Sequence, residues 1–262
     1  MGPALHLAGV YRRRVGASLR RIWENVHDWE HLAHLHEGSF ARCDLLARGS
    51  WGWRARLLLA NGDGQVIEVR TDPTAGRYVS TTIEGTGAGT EIRVTLSPVE
   101  PHVTDVLVEF HVPEARPERL VAIGRAYVAA YARLWDEDEA MMRERERMLA
   151  ARPPASGPAE PVDLGAETEV RAKLPYRFEF DGRPFRLVEL DGALAAHSAI
   201  CPHWLGPLDD LPIIDGAVRC PWHGYRFDVA TGRCVTKPGL ALDRAPGIVV
   251  QGGRVLATLR AD

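Results

Sequence analysis

The sequence predicts an α+β protein in two parts: an N-terminal part with an antiparallel sheet and one long helix, and a C-terminal part of short strands. Three observations predict it. Residues 39–113 alternate apolar and polar side chains in runs separated by turn residues, the period of half-buried strands. From about Pro117 to Leu149 the pattern changes to helical spacing, with a charged end from Asp136 to Arg147. Residues 151–161 carry Pro153, Pro154, Pro158 and Pro161 beside alanine, serine and glycine, and read as a semi-stiff linker. The chain of 262 residues then divides into a domain over 1–150, the linker 151–161 and a domain over 162–262.

In chain order, Leu5 to Val15 reads as a strand. Ser18 is the expected N-cap of a helix in which Leu19, Ile22, Trp23, Val26 and Trp29 fall at helical spacing. The strands that follow include Trp51–Leu59, Gln65–Arg70, Arg77–Thr82, Thr90–Leu96 and Thr104–Phe110, with Asn61-Gly-Asp-Gly64 as a turn. After the linker, Arg177–Phe180 and Phe185–Leu190 flank Asp-Gly turns at 181–182 and 191–192. A third Asp-Gly at 215–216 precedes Ala217–Cys220, and Gly252-Gly253 turns Ile248–Val250 into Val255–Ala257. The C-terminal part therefore reads as all-β.

Composition bounds the function. The chain is 45% hydrophobic and 26% charged, as in a soluble globular protein. Its net charge of −3 argues against nucleic-acid binding, which calls for a basic face. No apolar run reaches bilayer length, and the start, Met-Gly-Pro-Ala-Leu-His-Leu, lacks a basic region followed by an apolar stretch. A cytoplasmic protein without a membrane partner is expected. Cys43 and Cys234 then stay reduced and serve as small buried filler.

The remaining two cysteines carry chemistry. Cys201-Pro-His203 and Cys220-Pro-Trp-His223 are two knuckles, each offering one thiolate and one imidazole. Such a set suits a [2Fe–2S] centre whose cysteines hold one iron and whose histidines hold the other. Zinc competes for Cys₂His₂ sets, but zinc fingers usually put both cysteines in one knuckle. The plainest alternative is four unrelated loop residues. The stretch Cys220-Pro-Trp-His-Gly-Tyr-Arg-Phe-Asp-Val-Ala-Thr-Gly-Arg-Cys-Val-Thr-Lys-Pro-Gly239 also resembles the second knuckle and hairpin of Rieske ferredoxins and Rieske oxygenases. The resemblance covers roughly residues 162–260. Respiratory Rieske proteins add a disulfide at positions matching Gly206 and Trp222, and hydroxyl groups at positions matching Tyr225 and Phe227. Here that bridge cannot form and hydrogen bonds to the cluster are fewer. The ferredoxin or oxygenase type, with a lower potential, is expected.

A second constellation lies at the end of the opening helix. Glu24, Asp28, His31 and His36 are spaced acid-x₃-Asp-x₂-His-x₄-His. This is similar to the mononuclear-iron motif of Rieske oxygenases, and the order of elements resembles the helix-grip fold shared by START-like proteins and the catalytic domains of those oxygenases. The resemblance implies that His31 and His36 bind Fe(II) and that Asp28 links the iron to a cluster histidine. The third ligand comes in that family from the long C-terminal helix, where Trp135-Asp-Glu-Asp-Glu139 offers four acids. Glu137-Asp138 matches the family's acid-Asp pair, so Asp138 is the expected ligand, with Asp136 second; the alternative is a solvated helix face. On an ideal helix His31 and His36 lie about 140° apart, so the helix must end or unwind before His36, and Gly38 suits that end. His27 with His31, or His31 with His34, would fit a regular helix better.

The implied activity is an oxygenase. An external reductase or ferredoxin feeds the cluster, and O₂ reacts beside Fe(II) with a small apolar or aromatic substrate in an apolar cavity. The chemistry is hydroxylation, dihydroxylation or demethylation. Trp51, Trp53, Tyr78, Tyr127, Tyr131 and Trp135 are candidate walls, although aromatics at such spacing are more often core. Homo-oligomers, trimers in particular, are expected by resemblance. Three departures stand against it: the domain order is reversed, the N-terminal domain is short, and Trp204 replaces an arginine common in oxygenases. The alternative is a ferredoxin-like electron carrier fused to a non-catalytic ligand-binding domain. A third reading, a cyclase or hydrolase using histidines as acid–base groups, leaves the cluster idle.

Overall fold

The computed structural model describes residues 4–151 and 160–260. Most of the expected linker, 152–159, lies outside the described residues. Contacts divide the chain into two compact units, Met1–Glu146 and Arg147–Asp262.

The N-terminal unit runs β1 (His6–Val15), α1 (Leu19–His27), α2 (Leu32–Leu35), β2 (Phe40–Gly49), β3 (Gly52–Leu59), β4 (Gly64–Asp72), β5 (Arg77–Gly85), β6 (Glu91–Glu100), β7 (Val103–Val112) and α3 (Pro117–Ala150). Its seven strands form one antiparallel sheet in the order β1-β7-β6-β5-β4-β3-β2. Strands 2 to 7 follow one another as a meander. The first strand closes against the last, because the two helices after β1 carry the chain across to the far edge. With the long α3, this is the helix-grip arrangement.

Alternation drives the sheet. In β7 every second residue from Thr104 to Val112 is buried, and Val106, Val108 and Phe110 join Val94, Leu96, Ile22, Trp135 and Met142 in one core. That core gathers α1, β6, β7 and α3 on one face of the sheet. A second cluster of Trp53, Ala55, Leu57 and Val69 lies on β3 and β4. One close approach pins α3 to β1. A Cβ on Gly124 would lie 2.0 Å from the Ala8 carbonyl oxygen, so only glycine fits.

The C-terminal unit contains three three-stranded sheets, β11-β10-β9, β12-β13-β14 and β15-β16-β8. Their strands are β8 (Val162–Ala166), β9 (Tyr176–Phe180), β10 (Arg183–Leu190), β11 (Ala193–Ser198), β12 (Ile213–Ile214), β13 (Ala217–Arg219), β14 (Arg226–Asp228), β15 (Gly247–Gln251) and β16 (Arg254–Thr258). All four expected two-residue turns have positive φ at both positions: Asp181-Gly182, Asp191-Gly192, Asp215-Gly216 and Gly252-Gly253. That is the backbone of the hairpin turns whose twist suits the strands they join. The all-β expectation needs one correction. Residues Glu167–Ala172 form a short helix, α4, whose Val170 enters the core with Phe178, Phe185 and Leu187.

Candidate functional site

Ser18 caps α1 by accepting from the Arg21 backbone N–H at 3.4 Å. The helix stops at Asp28, whose φ of −94° and ψ of 84° leave the helical region. His31 and His36 then flank the single turn of α2, as its N-cap and C-cap residues. The His31 carbonyl accepts from Leu35 N at 2.8 Å, and the His36 carbonyl accepts from Phe40 N at 2.9 Å. The histidines therefore do not share one helical phase. The helix thus ends before His36, as the spacing requires, but Gly38 does not make the break, since its φ is not left-handed.

The four consecutive acids of α3, Asp136 to Glu139, divide their work. Asp136 is exposed and pairs with Arg13 of β1, as does Glu139, which also accepts from Gly16 N at 2.8 Å. These two acids fasten the helix to β1. Glu137 and Asp138 face the histidines. Asp138 is buried, with Oδ1 3.1 Å from His36 Nε2 and 3.5 Å from His31 Nε2. One donor atom from each of His31, His36 and Asp138 lies within 4.8 Å of the others. His34, His27 and Asp136 are not in this group, and His27 is exposed.

The donor set fits a cation. An ion about 2.1 Å from each donor separates neighbouring donors by about 3.0–3.5 Å. Asp138 Oδ1 is enclosed and makes no directed hydrogen bond, despite the two nitrogens near it. Behind the imidazoles stand two carboxylates: Glu137 Oε2 is 2.5 Å from His36 Nδ1, and Asp28 Oδ2 is 3.4 Å from His31 Nδ1. In the tautomer these carboxylates favour, protons sit on Nδ1 and the Nε2 lone pairs face Asp138. Three electron-rich atoms aimed at one point are stable together when a cation or proton lies between them. Accordingly, although burial lowers the His36 pKa, Asp138 and then Glu137 outweigh it and leave it raised.

Beside this group is a cavity of about 130 Å³. Of the expected aromatic walls, Trp53, Tyr78, Tyr131 and Trp135 line it. Trp51 instead lies under Arg70, and Tyr127 stacks on Phe110 in the core. Burial raises the Tyr78 and Tyr131 pKa values, so both remain phenols. Burial also pushes the Cys43 thiol up to about 12, consistent with inert filler. The leading acid of the motif, Glu24, does not join the donor set; it ties α1 to α3 through Arg21 and Arg145.

In the C-terminal unit the two cysteine–histidine knuckles are copies of one loop. Leu205 N bonds the Cys201 carbonyl at 3.0 Å, and Gly224 N bonds the Cys220 carbonyl at 2.9 Å. Both closing residues are left-handed, Leu205 at φ 65° and Gly224 at φ 67°. The His203 and His223 rings stand 4.5 Å apart and nearly perpendicular. Cys201 and Cys220 are buried, and the hydrogen bond between them lowers the Cys220 pKa and raises that of Cys201. Two buried sulfurs and two adjacent imidazoles fit the divided ligation of a [2Fe–2S] cluster. Gly206 makes room for them. A Cβ there would be 3.1 Å from Cys220 Sγ and 3.0 Å from the Trp222 ring. Tyr225 packs on His203 at 4.9 Å, and its hydroxyl is engaged by Lys237.

Comparison with known proteins agrees with this geometry. The Rieske [2Fe-2S] domain family matches residues 160–246. The ferredoxin component of the p-cumate 2,3-dioxygenase system of Pseudomonas putida is 32% identical over 102 residues, 38% of this chain and 82% of that protein. The chain belongs to the Rieske [2Fe-2S] family. The oxygenase component of dicamba O-demethylase from Stenotrophomonas maltophilia is 46% identical over 48 residues. That match covers 18% of this chain and 14% of the demethylase. A START superfamily protein from Mycobacterium smegmatis aligns with 52% of this chain and 96% of its own, at 19% identity and a TM-score of 0.42. No helix among the described residues is long and apolar enough to cross a membrane.

Two features of the N-terminal site go beyond the sequence expectation. Glu137 is a partner of His36 and not merely the neighbour of a ligand. Asn25 follows Ile22 by three residues and so falls on the apolar face, where an amide is out of pattern.

Proposed function

We propose that this Rieske protein is an oxygenase whose N-terminal unit holds one Fe(II) through His31, His36 and Asp138. The observation that carries the reading is the buried convergence of those three donors beside a largely apolar cavity, in a chain that also carries a Rieske domain. Two histidines and one carboxylate form the facial set that leaves positions open on a non-haem iron. When bound, the cluster supplies single electrons from a reductase or ferredoxin, and the Fe(II) supplies reactivity toward O₂. The protein does the rest. Glu137 orients the His36 imidazole and holds its outer proton, and the Asp28 carboxylate lies beside His31 Nδ1. Trp53, Tyr131 and Trp135 exclude water and confine the substrate. By the resemblance of its motif to that of Rieske oxygenases, Asp28 is the residue that would link this centre to a cluster histidine. The reaction is hydroxylation or demethylation of a small apolar or aromatic compound.

A second reading, a ferredoxin-like carrier fused to a ligand-binding domain, draws on the similarity to the p-cumate ferredoxin. Iron and acid-labile sulfide in anaerobically purified protein separate the two. The oxygenase predicts about three irons for two sulfides per chain, falling to about two for two in His31→Ala. About two irons for two sulfides in both proteins, after Fe(II) is supplied, leaves the carrier reading standing.

A further inference from the structure

The cavity beside His31, His36 and Asp138 has one polar wall that the protein does not use. Asn25 is 6% exposed, lines the cavity, and has an enclosed Oδ1 with no hydrogen-bond partner among the described residues. An enclosed polar atom without a partner destabilises the fold. Leucine shares asparagine's branched skeleton and, although bulkier, would remove that cost. An asparagine at this position is therefore explained by something the cavity receives rather than by packing. The surrounding walls are mostly apolar, with Val26, Leu32, Trp53, Ile67, Tyr131 and Trp135 among them.

The volume limits what enters. About 130 Å³ is close to the ~150 Å³ cavity that accepts one benzene, and well below the ~300 Å³ where pockets for drug-sized ligands begin. Two fused rings exceed it.

We propose that the cavity selects a compound with a single six-membered ring bearing a hydroxyl or amino group, and that Asn25 Oδ1 accepts the hydrogen bond from that group. This rests on the cavity being the substrate site and narrows the substrate class. It does not depend on iron. An apolar cavity alone would prefer toluene to phenol, because phenol gives up hydrogen bonds to water on entering. Asn25 reverses the order.

The test is titration of the full chain with phenol, toluene and 2-naphthol, followed by calorimetry and by tryptophan fluorescence. The mononuclear metal is first removed with a chelator. Phenol should bind about tenfold or more tighter than toluene, and 2-naphthol at least about tenfold more weakly than phenol. In Asn25→Leu the phenol preference should vanish, toluene binding should stay within about twofold, and Tm should not fall. Equal binding of phenol and toluene by the unaltered chain would overturn the proposal, whether or not the variant folds. So would a phenol preference that survives in Asn25→Leu, or 2-naphthol binding as tightly as phenol. Iron stoichiometry decides the oxygenase reading separately, so either idea can fail alone.

Discussion

Replacing Glu137 with glutamine tests the N-terminal centre without touching a ligand. Glu137 Oε2 lies 2.5 Å from His36 Nδ1, and the side chain is 44% exposed, so the variant keeps its shape and the fold has little to lose. What it loses is the negative charge behind the imidazole. A carboxylate in that position makes the opposite nitrogen a better donor, and removing such a partner typically weakens metal binding about 10–100-fold. Solvent screens a half-exposed charge, so the lower end applies: about tenfold, or about 1.4 kcal/mol. The assay is Co(II) titration in competition with a chelator, read from the visible bands of the bound ion. Absorbance of the [2Fe–2S] cluster serves as an internal control. Asp136→Asn, whose side chain contacts Arg13 instead, should leave affinity within about twofold. Unchanged Co(II) affinity in Glu137→Gln, or an equal loss in Asp136→Asn, would refute the reasoning.

Other perturbations separate packing, ionisation and cluster electrostatics. Gly124→Ala forces a methyl against the Ala8 carbonyl, and overpacking of this kind should cost about 1–3 kcal/mol, seen as a Tm several degrees lower. Glu68 is buried between Arg54 and Arg70; burial raises its pKa, but the two arginines outweigh that and leave it depressed. Its stabilisation is thus present above the ordinary value of 4.5 and lost as pH falls through the lowered one. The Tm gap between wild type and Glu68→Gln should close on acidification, and a gap that widens below that pH would contradict the assignment. Lys237 sits 4.7 Å above the Tyr225 ring, which packs on both cluster histidines. Lys237→Met should lower the cluster potential by on the order of 40 mV in a redox titration; no change, or a rise, would count against a through-space effect.

Much of the fold was legible because it is written in short-range chemistry. Alternation in β3 to β7, the Ser18 cap and the Asp-Gly pairs each act over a few residues, and the structure follows them. The cluster knuckles were legible for the same reason, since each is a loop of five residues with its ligands inside. The N-terminal centre was harder. The spacing of Asp28, His31 and His36 pointed to a shared site, but the helix that was to carry them breaks at Asp28. Nothing in the local sequence announces that break. The four acids from Asp136 to Glu139 look alike in a string, and their roles follow from what each meets: Arg13 across the sheet or His36 across the cavity. Asn25 belongs to the same class, a residue whose meaning depends on its enclosure.

The twin knuckles carry a consequence for directionality. Both loops close four residues after the cysteine, yet the histidine is the second residue after Cys201 and the third after Cys220. That offset of one position turns two copies of a loop into unequal sides. His223 is 2% exposed, whereas His203 is only partly covered. A relay centre with one sheltered and one accessible imidazole has an outer and an inner terminal. Its polarity is encoded by the order of two residues, His203-Trp204 in one loop and Trp222-His223 in the other, rather than by any difference in the ligands themselves.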